Sequence, residues 1–459
     1  MIKRIIAALC FLLMQFIFFS IPGNAQTVSA VSTTIPAKEE SCVTSNCHGT
    51  MGKGVSVHNP VKEGTCSVCH QITQESEPGK KTKHPGNITI TLVQPGANLC
   101  YKCHAPKNTR KIVHAPISGV NGDCTVCHNP HQAPNIGLLK EPVPALCFRC
   151  HQDSMMKNKV MHSPVEAGKC SGCHFNHQGD LPNRLVMEGN ALCYTCHQKT
   201  QEGVNTKKDV HSPVKQSCVL CHDPHGSANK VLLSNPVPAI CSTCHPNEVT
   251  LSEKSLNKHS PMTDEKACMN CHEPHYSDQA KLLPMPQKDL CISCHNKELT
   301  TEMGTIKDLK AFLSANNGGQ GPLKDKPCFT CHNPHGSDYW RLLVKFYSSN
   351  FYTSYSDSKY AMCFTCHEKA AFTTLRTQKA TKFRDGERNL HFIHVNKLAK
   401  GRTCRACHDA CAVCQSSGQP NNIKETVGFS YWSLPMNFTP SKNGGSCAPG
   451  CHGEKMYTR

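Results

Sequence analysis

The sequence predicts mostly coil with short α-helices and little or no β-sheet, strung along an extended chain rather than folded into conventional domains. Three observations predict it. The 459 residues include 33 cysteines and 28 histidines. Hydrophobic residues make up 38% and aromatic residues 6%, too little to fill several side-chain cores. The cysteines recur in one pattern, Cys-x-x-Cys-His, thirteen times. Length alone would suit about three ordinary domains, so something other than side chains must supply the interior.

At the start of the chain, residues 1–25 read as an export signal. Lys3 and Arg4 form a positive segment, residues 5–21 an apolar run, and Gly23 and Ala25 the small positions before a cut ahead of Gln26. The alternative is a retained membrane anchor, since the run approaches spanning length. Leu9 before Cys10 argues against a lipid-modified cysteine. No later stretch has transmembrane length, so the mature chain is expected to have no transmembrane segment.

The thirteen motifs use Cys66 and Cys69, Cys100 and Cys103, Cys124 and Cys127, Cys147 and Cys150, Cys170 and Cys173, Cys193 and Cys196, Cys218 and Cys221, Cys241 and Cys244, Cys268 and Cys271, Cys291 and Cys294, Cys328 and Cys331, Cys363 and Cys366, and Cys404 and Cys407. Their histidines are His70, His104, His128, His151, His174, His197, His222, His245, His272, His295, His332, His367 and His408. This is the attachment signature of c-type haem: two thiols add to the porphyrin vinyl groups and the adjacent histidine reaches the iron. The porphyrin would then be the missing apolar interior. Two stretched versions flank the array, Cys42 and Cys47 before His48, and Cys447 and Cys451 before His452; the competing reading for each is a disulfide or a free pair. Cys411 and Cys414 lack a following histidine, and they read as a disulfide rather than an unusual further haem site. Zinc ribbons also use paired cysteines, but a histidine directly after every second cysteine fits haem better.

Thirteen histidines lie outside the motifs: His58, His84, His114, His131, His162, His177, His211, His225, His259, His275, His335, His391 and His394. Against thirteen regular motifs, the simplest reading is a second imidazole for nearly every haem iron. Fifteen sites against thirteen spare histidines leave up to two irons without one.

The repeat is a pair of motifs. An interval of 23 residues separates Cys124 from Cys147, Cys170 from Cys193, Cys218 from Cys241, and Cys268 from Cys291. Before each pair stands His-x-Pro, at His114, His162, His211 and His259, and the proline should hold that segment extended. Three residues after the first motif histidine stand His131, His177, His225 and His275. Such a histidine sits on the wrong face of its own haem, so some should cross to a neighbour. Leu-Leu followed by prolines, as at Leu232, Leu233, Pro236 and Pro238, is expected to pack on porphyrin faces. Two outer pairs are stretched, the later one by an aromatic, serine-rich insertion over residues 346–360 that reads as an elaborated loop. Segments 71–98, 296–327 and 368–390 read as linkers, short helices or loops. The boundaries expected are 1–25 signal, 26–110 an N-terminal haem segment, 111–300 tandem repeats, and 301–459 a C-terminal haem segment with insertions.

From His58 to His408 the chain resembles the family of multihaem cytochromes with doubled Cys-x-x-Cys-His motifs, related to the cytochrome c3 and c7 group and to the decahaem conduits of metal-reducing bacteria. The resemblance implies bis-histidine haem c and respiratory electron transfer in the periplasm, or exported to the outer membrane or cell exterior. Expected cofactors are 13 to 15 covalently attached haem c groups with their iron. Expected partners are redox proteins acting as electron donor and acceptor, with an outer-membrane porin or an extracellular cytochrome as further candidates. One motif per about 31 residues forces neighbouring porphyrins close together. The formal charge of +17 would suit nucleic acid; propionates would neutralise much of it, so no nucleic-acid role is expected. The competing class is a multihaem reductase of a small nitrogen or sulfur compound, which needs an iron with an open position. A conduit or filament subunit would differ in partners rather than in chemistry.

Overall fold

A computed structural model describes residues 42, 48–74, 84, 88–301, 304–315, 326–408, 423–429 and 432–459. Residues 1–25, expected to be an export signal, and Cys47, Cys411 and Cys414 lie outside the described residues, as does Cys10.

Motif residues at positions i, i+3 and i+4 share one face of a helical turn, and the chain makes that turn at each motif. First motifs of the repeats are single 3-10 turns, such as Cys124–Val126, Cys170–Gly172 and Cys218–Leu220. Second motifs are α-helical, as in Ala145–Phe148, Gly189–Tyr194 and Gln287–Cys294, except that at Cys363, which is a 3-10 turn over Cys363–Thr365. In both kinds the histidine N–H donates to the carbonyl of the first cysteine, at 3.0 Å for His128 and His151 and 3.1 Å for His222.

The upstream histidines are extended, with ψ between 120° and 131° at His114, His162, His211 and His259. Each is followed at once by a short helix or 3-10 turn carrying proline in its first two positions, for example Ser163–Glu166. These prolines therefore start helices rather than prolonging an extended segment. Proline's fixed φ suits a first turn, where its missing N–H costs no bond.

Strand is confined to small antiparallel pairs. Ser56–Val57 pairs with Gln132–Ala133, Ile112–Val113 with Gln178–Gly179, Val160–Met161 with Gly226–Ser227, and Asp209–Val210 with Tyr276–Ser277. Each joins the chain just before one repeat's His-x-Pro to the chain just after the next repeat's crossing histidine. Backbone bonds His114 N–H to His177 O (2.8 Å) and His211 N–H to His275 O (3.0 Å) extend the same stitch. Longer strands occur in the hairpin His70–Gln74 with Ile88–Leu92, and in the three-stranded sheet Phe438–Ser441, Gly444–Cys447 and Lys455–Thr458. The insertion at 346–360 closes on itself through aromatic rings. Tyr360, 2% exposed, lies against Tyr355 and Phe364.

Two compact units divide the chain. One contains the described residues up to Val93 together with Asn129–Leu138; the other contains Gln94–His128 and Leu139–Arg459. The excursion Asn129–Leu138 falls in the first because it carries His131, which faces His70. Among the described residues only eleven hydrophobic side chains are buried, four of them alanines. Side chains do not make a conventional core here.

Candidate haem sites

Twelve pairs of histidine rings face one another among the described residues, with centroids 5.9 to 6.5 Å apart. Two rules generate most of them. A second-motif histidine faces the His-x-Pro histidine of its own repeat: His151 with His114, His197 with His162, His245 with His211, His295 with His259. A first-motif histidine faces the crossing histidine of the next repeat: His70 with His131, His128 with His177, His174 with His225, His222 with His275, His272 with His335. Outside the rules, His48 faces His84, His408 faces His391, and His452 faces His394.

Backbone carbonyls set the orientation of these rings. The Nδ1 of His58, His114, His162, His211 and His259 donates to the carbonyl of Pro130, Asn176, Pro224, Pro274 and Pro334 respectively, at 2.8 to 3.1 Å. Each acceptor immediately precedes a crossing histidine. On the motif side, Nδ1 of His174, His222, His272 and His332 donates to Asn183, Val231, Lys281 and Arg341, at 2.8 to 2.9 Å. All four acceptors are non-glycine residues with φ of 49° to 60°. The proton on Nδ1 leaves Nε2 as the basic nitrogen, as a metal-ligating imidazole needs. Burial pushes several imidazoles toward the neutral form, His391 down to about 4 and His259 and His335 in the same direction, at His259 against its carbonyl bond, which favours the protonated ring.

Beside the rings runs a ladder of sulfurs. Within a repeat the second cysteines neighbour one another: Cys127 and Cys150, Cys221 and Cys244, Cys271 and Cys294, Cys331 and Cys366. Between repeats the first cysteines neighbour one another: Cys100 and Cys124, Cys147 and Cys170, Cys193 and Cys218, Cys241 and Cys268, Cys291 and Cys328, and Cys363 and Cys404, the last pair 3.5 Å apart. Cys173 lies by Cys193 and Cys196, and Cys407 by Cys447 and Cys451. Thus from Cys100 to Cys451 each motif adjoins the next in sequence order. Burial and the neighbouring thiol push Cys100 and Cys193 up to about 11.

This donor set fits an iron porphyrin. A metal held about 2 Å from one nitrogen of each ring places facing imidazole centroids about 6 Å apart, the spacing found. Tetrahedral zinc needs converging ligands, and no three metal-ligating side chains converge among the described residues.

The C-terminal stretched motif acquires an imidazole partner through the helix Leu390–Val395, which carries both His391 and His394. Its N-cap Asn389 is fully buried. That amide donates to Ala371 O (2.9 Å) and Thr374 O (2.8 Å) and accepts from Phe392 N–H. Of the N-terminal stretched motif, Cys42 is exposed and His48 faces His84, while Cys47 lies outside the described residues. His332 and His367 belong to none of the facing pairs. Sequence reasoning missed the carbonyl anchors and Asn389; the repeated Leu-Leu stretch signalled the former, and nothing signalled the latter.

The family described as "Doubled CXXCH motif" matches residues 58–109, 114–156, 162–202, 211–250, 259–300 and 321–372, more than half of the chain. The multiheme cytochrome MtrA of Shewanella baltica is 27% identical over 152 residues, covering 31% of this chain and 41% of that protein. The chain therefore spans about two-fifths of that relative's length. Six matched pairs of attachment motifs, set among facing imidazoles, identify the chain as a member of the doubled CXXCH motif family and a multihaem c-type cytochrome.

Proposed function

We propose that this cytochrome is an exported electron carrier holding up to fifteen haem c groups, most of them between two histidines, and that it serves periplasmic or extracellular respiration of the metal-reducing kind. The unbroken ladder of neighbouring sulfurs from Cys100 to Cys451 carries the reading. Bound haem c supplies reversible one-electron chemistry at its iron. The chain's residues do the rest. Paired cysteines fix each group covalently, and their adjacency sets consecutive sites side by side in sequence order. Each facing pair would hold the haem iron between two imidazoles and, at those sites, leave no place for a substrate. Where a backbone carbonyl accepts from Nδ1, it orients the ring and leaves Nε2 free to bind.

Export is supported by the leader-like residues 1–25, and no helix among the described residues is long and apolar enough to cross a membrane. The likeness to a multiheme cytochrome supports a donor and an acceptor that are themselves redox proteins, with an outer-membrane porin or an extracellular cytochrome as candidates. The test is the mass of the mature holoprotein together with its reduced spectrum. Thirteen to fifteen attached haems, predominantly low-spin, is the expected result; a colourless protein with free or bridged thiols overturns the reading.

A further inference from the structure

We propose that the sites built on His332 and His367 each offer their iron a single histidine, and that these two positions accept a small diatomic ligand such as carbon monoxide. The proposal rests on the haem reading above and deepens it, since it locates where an otherwise closed array is open.

By the first rule, His367 is a second-motif histidine and should face a His-x-Pro histidine upstream of Cys328. Residues 296–327 contain no histidine at all. By the second rule, His332 should face the residue three beyond the next first-motif histidine. Cys363 and Cys404 stand in the same sulfur-to-sulfur relation as Cys147 and Cys170, which makes Cys404 that next first motif. Three residues beyond its His408 the sequence has Cys411, not histidine. The two nearest spare histidines are already committed. His391 faces His408 and His394 faces His452. The Nδ1 of His391 is tied to Thr381 Oγ1 at 2.8 Å, and that of His394 to Leu390 O at 2.7 Å, so neither ring can turn away without losing a bond. His332 is itself prepared as a ligand, through its bond to Arg341 O at 2.9 Å. The same repeat carries the aromatic insertion between its two motifs, so both departures from the pattern fall in one place. His104 is not a third case, because His58 stands in its repeat where His114 stands in the next.

The experiment titrates the reduced full-length holoprotein with carbon monoxide and counts bound equivalents from the Soret change, with the ferric protein examined by electron paramagnetic resonance. Two equivalents and a high-spin ferric signal are expected. A double substitution, Cys363→Ala with Cys366→Ala, removes one attachment site and should lower the count to one. Cys218→Ala with Cys221→Ala removes a bis-histidine site and should leave it at two. No carbon monoxide uptake and an all low-spin spectrum overturn the proposal, as does a single equivalent, or uptake unchanged in the Cys363 variant. The wild-type count stands even if a variant fails to mature. A chain with its full haem complement that binds no carbon monoxide overturns this inference and leaves the electron-carrier reading intact; a chain without haem, seen by mass, overturns both.

Discussion

At the residue scale, orientation of the motif histidines depends on backbone that side chains ordinarily avoid. Val231 has φ of 49° and points its carbonyl at His222 Nδ1, although a β-branched residue in the left-handed region costs about 1–2 kcal/mol. Its side chain is 67% exposed, so little packing offsets that cost. Val231→Gly should therefore stabilise the protein by about 0.5–1 kcal/mol after glycine's own entropic penalty, leaving the haem spectrum unchanged. Denaturant unfolding checks it, and a loss of stability would contradict the strain. Asn389→Ala removes one acceptor and two donors from a fully buried position. A cost of about 2–3 kcal/mol is expected, with altered axial-ligand spectra at the two sites that His391 and His394 serve. The motif and spare histidines that the structure pairs stood out in composition and spacing. Their carbonyl partners did not, because Leu-Leu reads as packing and nothing in a sequence displays a positive φ.

At the element scale, the motifs need only one turn each, and that much followed from the spacing i, i+3, i+4. Isolated turns this short have no stability of their own, so local caps matter. Asp264 accepts from the N–H groups of Lys266 and Ala267 and from Asn270 Nδ2, at 2.8 to 2.9 Å, and these bonds hold its carboxyl below the usual range. The turn Ala267–Asn270 carries Cys268. Because the folded carboxyl is more acidic than the unfolded one, its contribution is present above the unfolded range and fades as pH falls through the folded one. Asp264→Ala should melt below wild type at neutral pH, and the difference should shrink in acid; a pH-independent difference would refute this. The two-residue strands escaped sequence reading, since a pair that short has no periodicity to detect. Proline's role in His-x-Pro was misplaced by one step, because its effect on the preceding residue and its fitness for a first helical turn predict different backbones.

At the scale of the whole molecule, the absence of a side-chain core was legible in the apolar share, and the sequence order of sites became definite only through the sulfur ladder. Among the described residues the neighbouring sulfurs from Cys100 to Cys451 belong to consecutive sites, a row that offers no detour. Cys218→Ala with Cys221→Ala should then slow electron flow between the ends of the row far more than Cys447→Ala with Cys451→Ala, which removes a terminal site. Stopped-flow reduction followed through the late-filling haems measures the difference, and equal rates would mean parallel routes.

The stitch between repeats also bears on how the chain matures. His128 waits for His177, His174 for His225, and His222 for His275, each supplied by residues that are synthesised about fifty positions later. Assembly thus runs one repeat behind synthesis, and a polypeptide cut at any repeat boundary ends in a half-finished iron site.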